Sequence, residues 1–137
     1  MSQIIRKAGA IIIQDRKLLL SRSKGKDIFV CPGGKLETTE TAEQALIREL
    51  QEEQGITVNR KNLEFFGSYE AIAAGHEQAQ TKLLMDVYLV KRYTGTLLPQ
   101  AEIAENLWFD TSMKDIKQGS IFEHEVIPHL KQQRLID

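Results

Sequence analysis

Apolar and polar positions along this chain alternate or cluster so as to divide it into short strands around one long helix. In "GAIIIQDRKLLLSRS" two runs rich in isoleucine and leucine flank the polar stretch Gln14 to Lys17, which has the length of a hairpin turn, and so predict two paired strands. A third extended piece, "DIFVCPGG", is expected to end at Pro32 and the glycines behind it, which stop regular structure and admit unusual backbone angles. "LEFFGSYEAIAA" and "TKLLMDVYLVKRY" read as strands separated by the polar "GHEQAQ", and "ENLWFD" as one more. "SIFEHEVIPHLKQQRL" predicts a closing helix, interrupted or begun near Pro128.

The strongest helical pattern lies between these strands. Thr41 is a good N-cap with Gln44 at capping-box spacing, and Gly55 followed by Ile56 resembles a glycine C-cap with its hydrophobic contact, so the helix should run from Ala42 to Gln54. Strands mixed with two helices imply an α/β sheet covered on its faces. Projected around the helix axis, Ala42, Ala45, Leu46 and Leu50 form an apolar arc, with Gln44, Gln51 and Gln54 expected on the far, solvent side. Glu49 and Glu53 fall in the middle of that arc and Glu52 at its edge.

That placement changes the meaning of the charges. A glutamate-rich helix is ordinarily a solvated face, yet these carboxylates point partly inward, where like charges repel and resist desolvation. They need protonation, basic partners or a cation, and Arg48 can neutralise only part of the cluster. Oxygen donors without histidine or cysteine favour Mg²⁺ or Mn²⁺ over zinc, and Mg²⁺ keeps positions open for water and phosphate. The adjacent "PGGK" would let a backbone group approach an ion closely, although alone it reads as a plain turn.

Composition excludes more than it selects. The 137 residues suit one domain spanning 1–137, are 42% hydrophobic and 27% charged, and carry a formal net charge of −1 with scattered lysine and arginine. No basic stripe points to nucleic acid, and the N-terminal apolar run is too short for a signal peptide or membrane span. The single cysteine, Cys31, cannot form an intramolecular disulfide and reads as a small buried hydrophobe, so a cytoplasmic location is expected. His76, His124 and His129 lack a metal-ligand pattern.

Gly34, Glu40, Arg48, Glu49, Leu50, Glu52, Glu53, Gly55 and Ile56 fill every fixed position, with every gap correct, of the box that marks the Nudix hydrolases, and on residues 34–56 the chain resembles that family. The resemblance implies an α/β fold, a Nudix-type αβα sandwich with a mixed β-sheet. It implies that Glu49, Glu52 and Glu53 hold divalent metal together with the Gly34 carbonyl, and that Arg48 pairs with Glu40 to orient the helix. Glu37 is either near the metal or a surface carboxylate. The family often adds a glutamate before a late tryptophan-bearing strand. Glu102, ahead of Trp108, is the first choice, Glu105 the second and Glu77 a weaker one.

The activity implied is Mg²⁺-dependent hydrolysis, with Mn²⁺ as a substitute, of the pyrophosphate linkage in a nucleoside diphosphate derivative, foremost a nucleoside triphosphate or related nucleotide. Dinucleoside polyphosphates and nucleotide sugars stay open, as does a nucleotide-binding module without turnover. The proton acceptor is Glu49, Glu52 or Glu102, with Arg48 in support. Arg22, Lys24, Lys26 and Lys35 either bind distal phosphates or face water, and Phe29 either stacks on a base or packs in the core. A small-molecule nucleotide is the expected partner, with no nucleic acid and no membrane, and a homodimer is open.

Overall fold

In the computed structural model residues 3–72 and 81–137 are described; His76 and Glu77 lie outside them. The chain runs β1 (Ile4–Ile11), β2 (Ile13–Gln14), β3 (Lys17–Ser23), β4 (Phe29–Val30), β5 (Gly33–Lys35), α1 (Ala42–Gln54), a 3₁₀ turn (Arg60–Asn62), β6 (Leu63–Ile72), β7 (Lys82–Val90), β8 (Ile103–Phe109), a π-helical segment (Phe122–Val126) and α2 (Ile127–Gln132).

Four strands form a mixed sheet in the order β5-β1-β7-β6, in which β1 and β7 are parallel and the other neighbours antiparallel. A second sheet gathers β2, β4 and β8 around β3. Period-two alternation splits the core between two faces. Ala8, Ala10, Ile12 and Leu19 pack with Leu46 and Leu50 of α1. Ile11, Leu18, Leu20 and Val87 pack with Phe122, Val126 and Leu130 on the other side. The result is a sheet layer between two helices, as the α/β expectation required. Leu46 and Leu50 are fully buried, and burial of each stabilises the docking of α1 by about 2 kcal/mol.

The predicted turn is tighter than its polar stretch. Gln14 and Lys17 already pair across the strands, and the bend is made by Asp15 (φ 52°) and Arg16 (φ 64°), both left-handed as a two-residue type I′ turn demands. The glycines after Pro32 do not end regular structure either. Gly33 and Gly34 pair with Gly9 and Ala8, so β5 is an edge strand; at Gly33 (φ 139°) a side chain would collide with the Ala8 carbonyl, which explains the residue. At the C-terminal end the helical stretch is continuous over 120–132 and Pro128 lies inside it. The wide π turns just before α2 accommodate the missing N–H and the ring of Pro128.

Candidate active site

Helix α1 is built and aimed by its ends. The Thr41 hydroxyl accepts from the Gln44 amide while the Gln44 side chain accepts from the Thr41 amide, a complete capping box. At the other end Gly55 adopts a left-handed φ of 69° and its amide donates to the Gln51 carbonyl. With Leu46 and Leu50 in the core, the helix has one rotational setting, and that setting decides where its acids go.

Glu53 is only 7% exposed, and its Oε1 accepts a 3.2 Å hydrogen bond from the Gly33 amide. Glu49 is mostly covered, whereas Glu52 reaches solvent. Burial pushes the Glu53 carboxyl up to about 8, with the Glu49 and Glu102 charges adding in the same direction. Burial likewise pushes Glu49 up, against the pull of Arg48. These are acids whose charge the fold does not fully balance.

Arg48 is the local organiser. Its Nε and Nη2 hold the two oxygens of Glu40 at 2.7 and 2.8 Å, a bidentate pair that keeps the Glu40 carboxyl down at about 2. Nη2 also donates to the Lys35 carbonyl at 3.2 Å, tying the helix to β5, and Nη1 donates to Glu49 at 2.9 Å and reaches Glu52 at 3.5 Å. Glu37 lies 3.9 Å from the same guanidinium. Gly34 is where helix and sheet touch: a Cβ there would sit 2.6 Å from the Glu49 carboxyl carbon, so only glycine leaves room for that carboxylate.

Among the described residues no three acidic, histidine or cysteine side chains converge closely enough to cage an ion. The hydrogen bonds say why: Arg48 occupies Glu49, the Gly33 amide occupies Glu53, and Glu52 turns outward. The donor set still fits a hard divalent cation. It offers carboxylate oxygens only, Glu53 buried and Glu49 half-buried with Arg48 as their one cationic neighbour, beside a glycine-lined space.

A cleft of about 150 Å³ adjoins the cluster on the other side of the glycines, because Gly33 and Gly34 line it too. Its walls are Val30 and Cys31, Leu83 and Met85 of β7, and Ile121 and Phe122 of the closing helix, with Lys7 the one charged side chain among the described residues that line it. Cys31 is buried and its thiol is pushed up to about 12, so it lines the wall as a hydrophobe.

The remaining sequence-predicted residues are scattered. Glu102 is exposed at the head of β8, close to the C-terminal end of α1, where the Gln100 amide donates to the Glu53 carbonyl. Arg22 is held by Glu105 at 2.7 Å and by the Lys26 carbonyl at 2.8 Å, away from the cleft walls. Lys35 is exposed, and Phe29 packs against the α2-side core while its neighbour Val30 lines the cleft. Gln54 corrects an expectation: it is fully buried, because the end of α1 runs over β3 and β8, and its side chain bonds Ser21 and Asn106. Its spacing of four from Leu50 could have shown this. Lys7 was also missed, though it alternates with Gly9 and Ile11 on the cleft-side face of β1.

A two-helix sandwich around a mixed sheet, with an acid-bearing helix capped at both ends, defines an α/β architecture with close solved counterparts. The E. coli ORF135 protein superposes with a TM-score of 0.75 at 27% identity, covering 99% of this chain and 96% of that one. The MutT Nudix hydrolase of Burkholderia pseudomallei shares the fold at a TM-score of 0.73 and 23% identity, over 97% and 96% of the two chains. Residues 4–130 match the NUDIX domain, and the chain belongs to the Nudix family of pyrophosphohydrolases, which typically depend on a divalent metal. Among sequence relatives, the uncharacterized Nudix hydrolase YvcI of Bacillus subtilis is 27% identical over 82% of this chain and 70% of its own length. The NAD-capped RNA hydrolase NudC of Vibrio atlanticus is 34% identical over 82% of this chain but 40% of its own length. The 8-oxo-dGTP diphosphatase of E. coli is 41% identical over 47% of this chain and 44% of its own. Among the described residues no helix is long and apolar enough to cross a membrane.

Proposed function

We propose that this chain hydrolyses the pyrophosphate linkage of a nucleoside diphosphate derivative, foremost a nucleoside triphosphate or related nucleotide, with Mg²⁺ held by Glu49, Glu52, Glu53 and the Gly34 carbonyl. One observation carries the reading: a buried Glu53 and a half-buried Glu49, which a single arginine only partly offsets, stand on the far side of Gly33 and Gly34 from an apolar cleft. The ion, when bound, offsets charge on the diphosphate oxygens and lowers the pKa of a water for attack on phosphorus.

The chain's own residues do the rest. Arg48, clamped by Glu40 and the Lys35 carbonyl, fixes the height of α1 against β5 and holds Glu49 in place, which would be one of the residues to hold a divalent ion. Gly34 keeps the space clear. The cleft takes the nucleoside and excludes water around it, with Lys7 offering a donor to an acceptor on the ligand. Glu49, Glu52 or Glu102 accepts the proton from water. The 8-oxo-dGTP diphosphatase relative is named for a nucleoside triphosphate, which supports the substrate class without choosing a base. Retention of the whole glutamate set favours turnover over a binding-only module.

The test is a panel of nucleoside triphosphates, dinucleoside polyphosphates and nucleotide sugars with Mg²⁺ and product identification. Release of a nucleoside monophosphate from one class supports the proposal. Tight nucleotide binding with no hydrolysis product released from any class, even at alkaline pH, overturns it.

A further inference from the structure

The end of α1 carries a polar connection that the proposed reaction does not use. Gln54 Nε2 donates to Ser21 Oγ and to Asn106 Oδ1, each at 2.9 Å; Asn106 Nδ2 donates back to Gln54 Oε1 at 2.6 Å; and Ser21 Oγ donates to Asn106 Oδ1 at 2.9 Å. The trio joins α1, β3 and β8, Gln54 is completely buried, and both ends of its amide are satisfied.

The backbone reinforces the same junction. The last carbonyls of a helix lack partners within it. Here the Glu53 carbonyl accepts from the Gln100 amide at 2.9 Å and the Gln54 carbonyl from the Leu98 amide at 3.1 Å. The segment bearing Glu102 is therefore suspended between Gln100, hung from Glu53, and Asn106, hung from Gln54. Midway, the Glu102 carbonyl accepts from the Lys24 amide at 2.7 Å.

We propose that Gln54, Asn106 and Ser21 are positioning residues: their hydrogen-bonded trio locks the Glu102 segment in register with Glu53, so that the late glutamate faces the carboxylates of α1. This rests on the hydrolase reading above. The trio contributes specificity rather than energy. An apolar pair of similar volume at the junction would still hold the layers, at the modest cost of the Ser21 hydroxyl it orphans, but it would tolerate sliding. A reciprocal amide pair has one geometry, and reactive groups need placement to within about 0.5 Å.

The experiment is a double-mutant cycle on the full chain, with Mn²⁺ affinity as the first readout and kcat and KM as the second. Glu102→Gln is made in the natural chain and in the apolar-junction variant Gln54→Met with Asn106→Leu. Expected is a weakening of Mn²⁺ binding by Glu102→Gln of about threefold or more in the natural chain and none in the apolar-junction variant, whose kcat falls about tenfold or more with KM within twofold. Equal weakening in both backgrounds, or none in the natural chain, overturns the proposal. Ser21→Ala removes one link without opening the core, gives the same decoupling in smaller measure, and decides the question if the apolar pair fails to fold. A chain that shows the Mn²⁺ coupling but hydrolyses nothing on the panel sinks the hydrolase reading and leaves the register lock standing.

Discussion

Glu53 and Gln54 are consecutive, nearly isosteric and both buried, yet their surroundings differ completely. Gln54 sits in a neutral trio in which each of its polar atoms has a partner. Glu53 has one long amide contact and two neighbouring carboxylates that oppose its charge. One residue apart on α1, the molecule thus has a finished junction and an unfinished one. The finished junction fixes geometry. The unfinished one stores the capacity to take up a cation, because a buried charge left unbalanced is costly until something positive arrives.

The comparison breaks most visibly under exchange. Glu53→Gln copies the neighbour's chemistry at the active position. It is expected to cut turnover on the order of 10²- to 10³-fold while leaving the metal-free chain folded and at least as stable, since it removes like-charge repulsion. Steady-state rates paired with denaturant unfolding check it; an unchanged rate would refute the role given to Glu53. Gln54→Ala attacks the other side. It opens a cavity and orphans the Ser21 and Asn106 groups, at a cost of about 2–4 kcal/mol read from the denaturation midpoint.

This pair also shows what a sequence makes legible. The strands, both caps of α1 and the inward turn of Glu49 and Glu53 follow from periodicity and capping chemistry, all of which are local. The box residues announce themselves by spacing. Gln54 does not, because amphipathic reading equates polarity with exposure, and its partners Ser21 and Asn106 are far off in sequence and meet it only through the β3 and β8 pairing. The β5 strand was hidden for a related reason: Gly33 and Gly34 look like a loop until β1 supplies the ladder and the Glu49 carboxylate fills the space above it. The cleft is likewise a product of distant elements, and no single stretch of chain encodes it.

Acidity sharpens the contrast without any mutation. Between the unfolded value near 4.5 and the folded value of about 8, native Glu53 binds a proton that the unfolded chain has lost. Stability of the metal-free protein from this group is therefore full below pH 4.5 and declines as pH rises through 8, by roughly 1–3 kcal/mol given that Glu49 shares the same strain. Glu40 acts in the opposite sense: held at about 2 by Arg48, it contributes above its unfolded value and fails as pH falls towards 2. Unfolding at pH 5 and pH 9, with chelator and with Mg²⁺, measures the alkaline limb. Mg²⁺ should flatten it, Glu53→Gln should remove most of it and leave the smaller share of Glu49, and Gln54 variants should leave its slope unchanged.

The smallest change asks whether the unfinished junction depends on space as well as charge. In Gly34→Ala the new methyl would meet the carboxyl end of Glu49 at 2.6 Å, but that end is flexible and can swing aside towards Arg48. The backbone at Gly34 needs no left-handed conformation, so folding should lose less than about 1 kcal/mol. Metal affinity should suffer more than stability. Glu49 would be held off the glycine-lined space, and a fall of about tenfold in Mn²⁺ affinity is expected by calorimetry. If affinity survives while stability collapses, Gly34 serves the sheet alone, and the room beside Glu49 has no part in binding the ion.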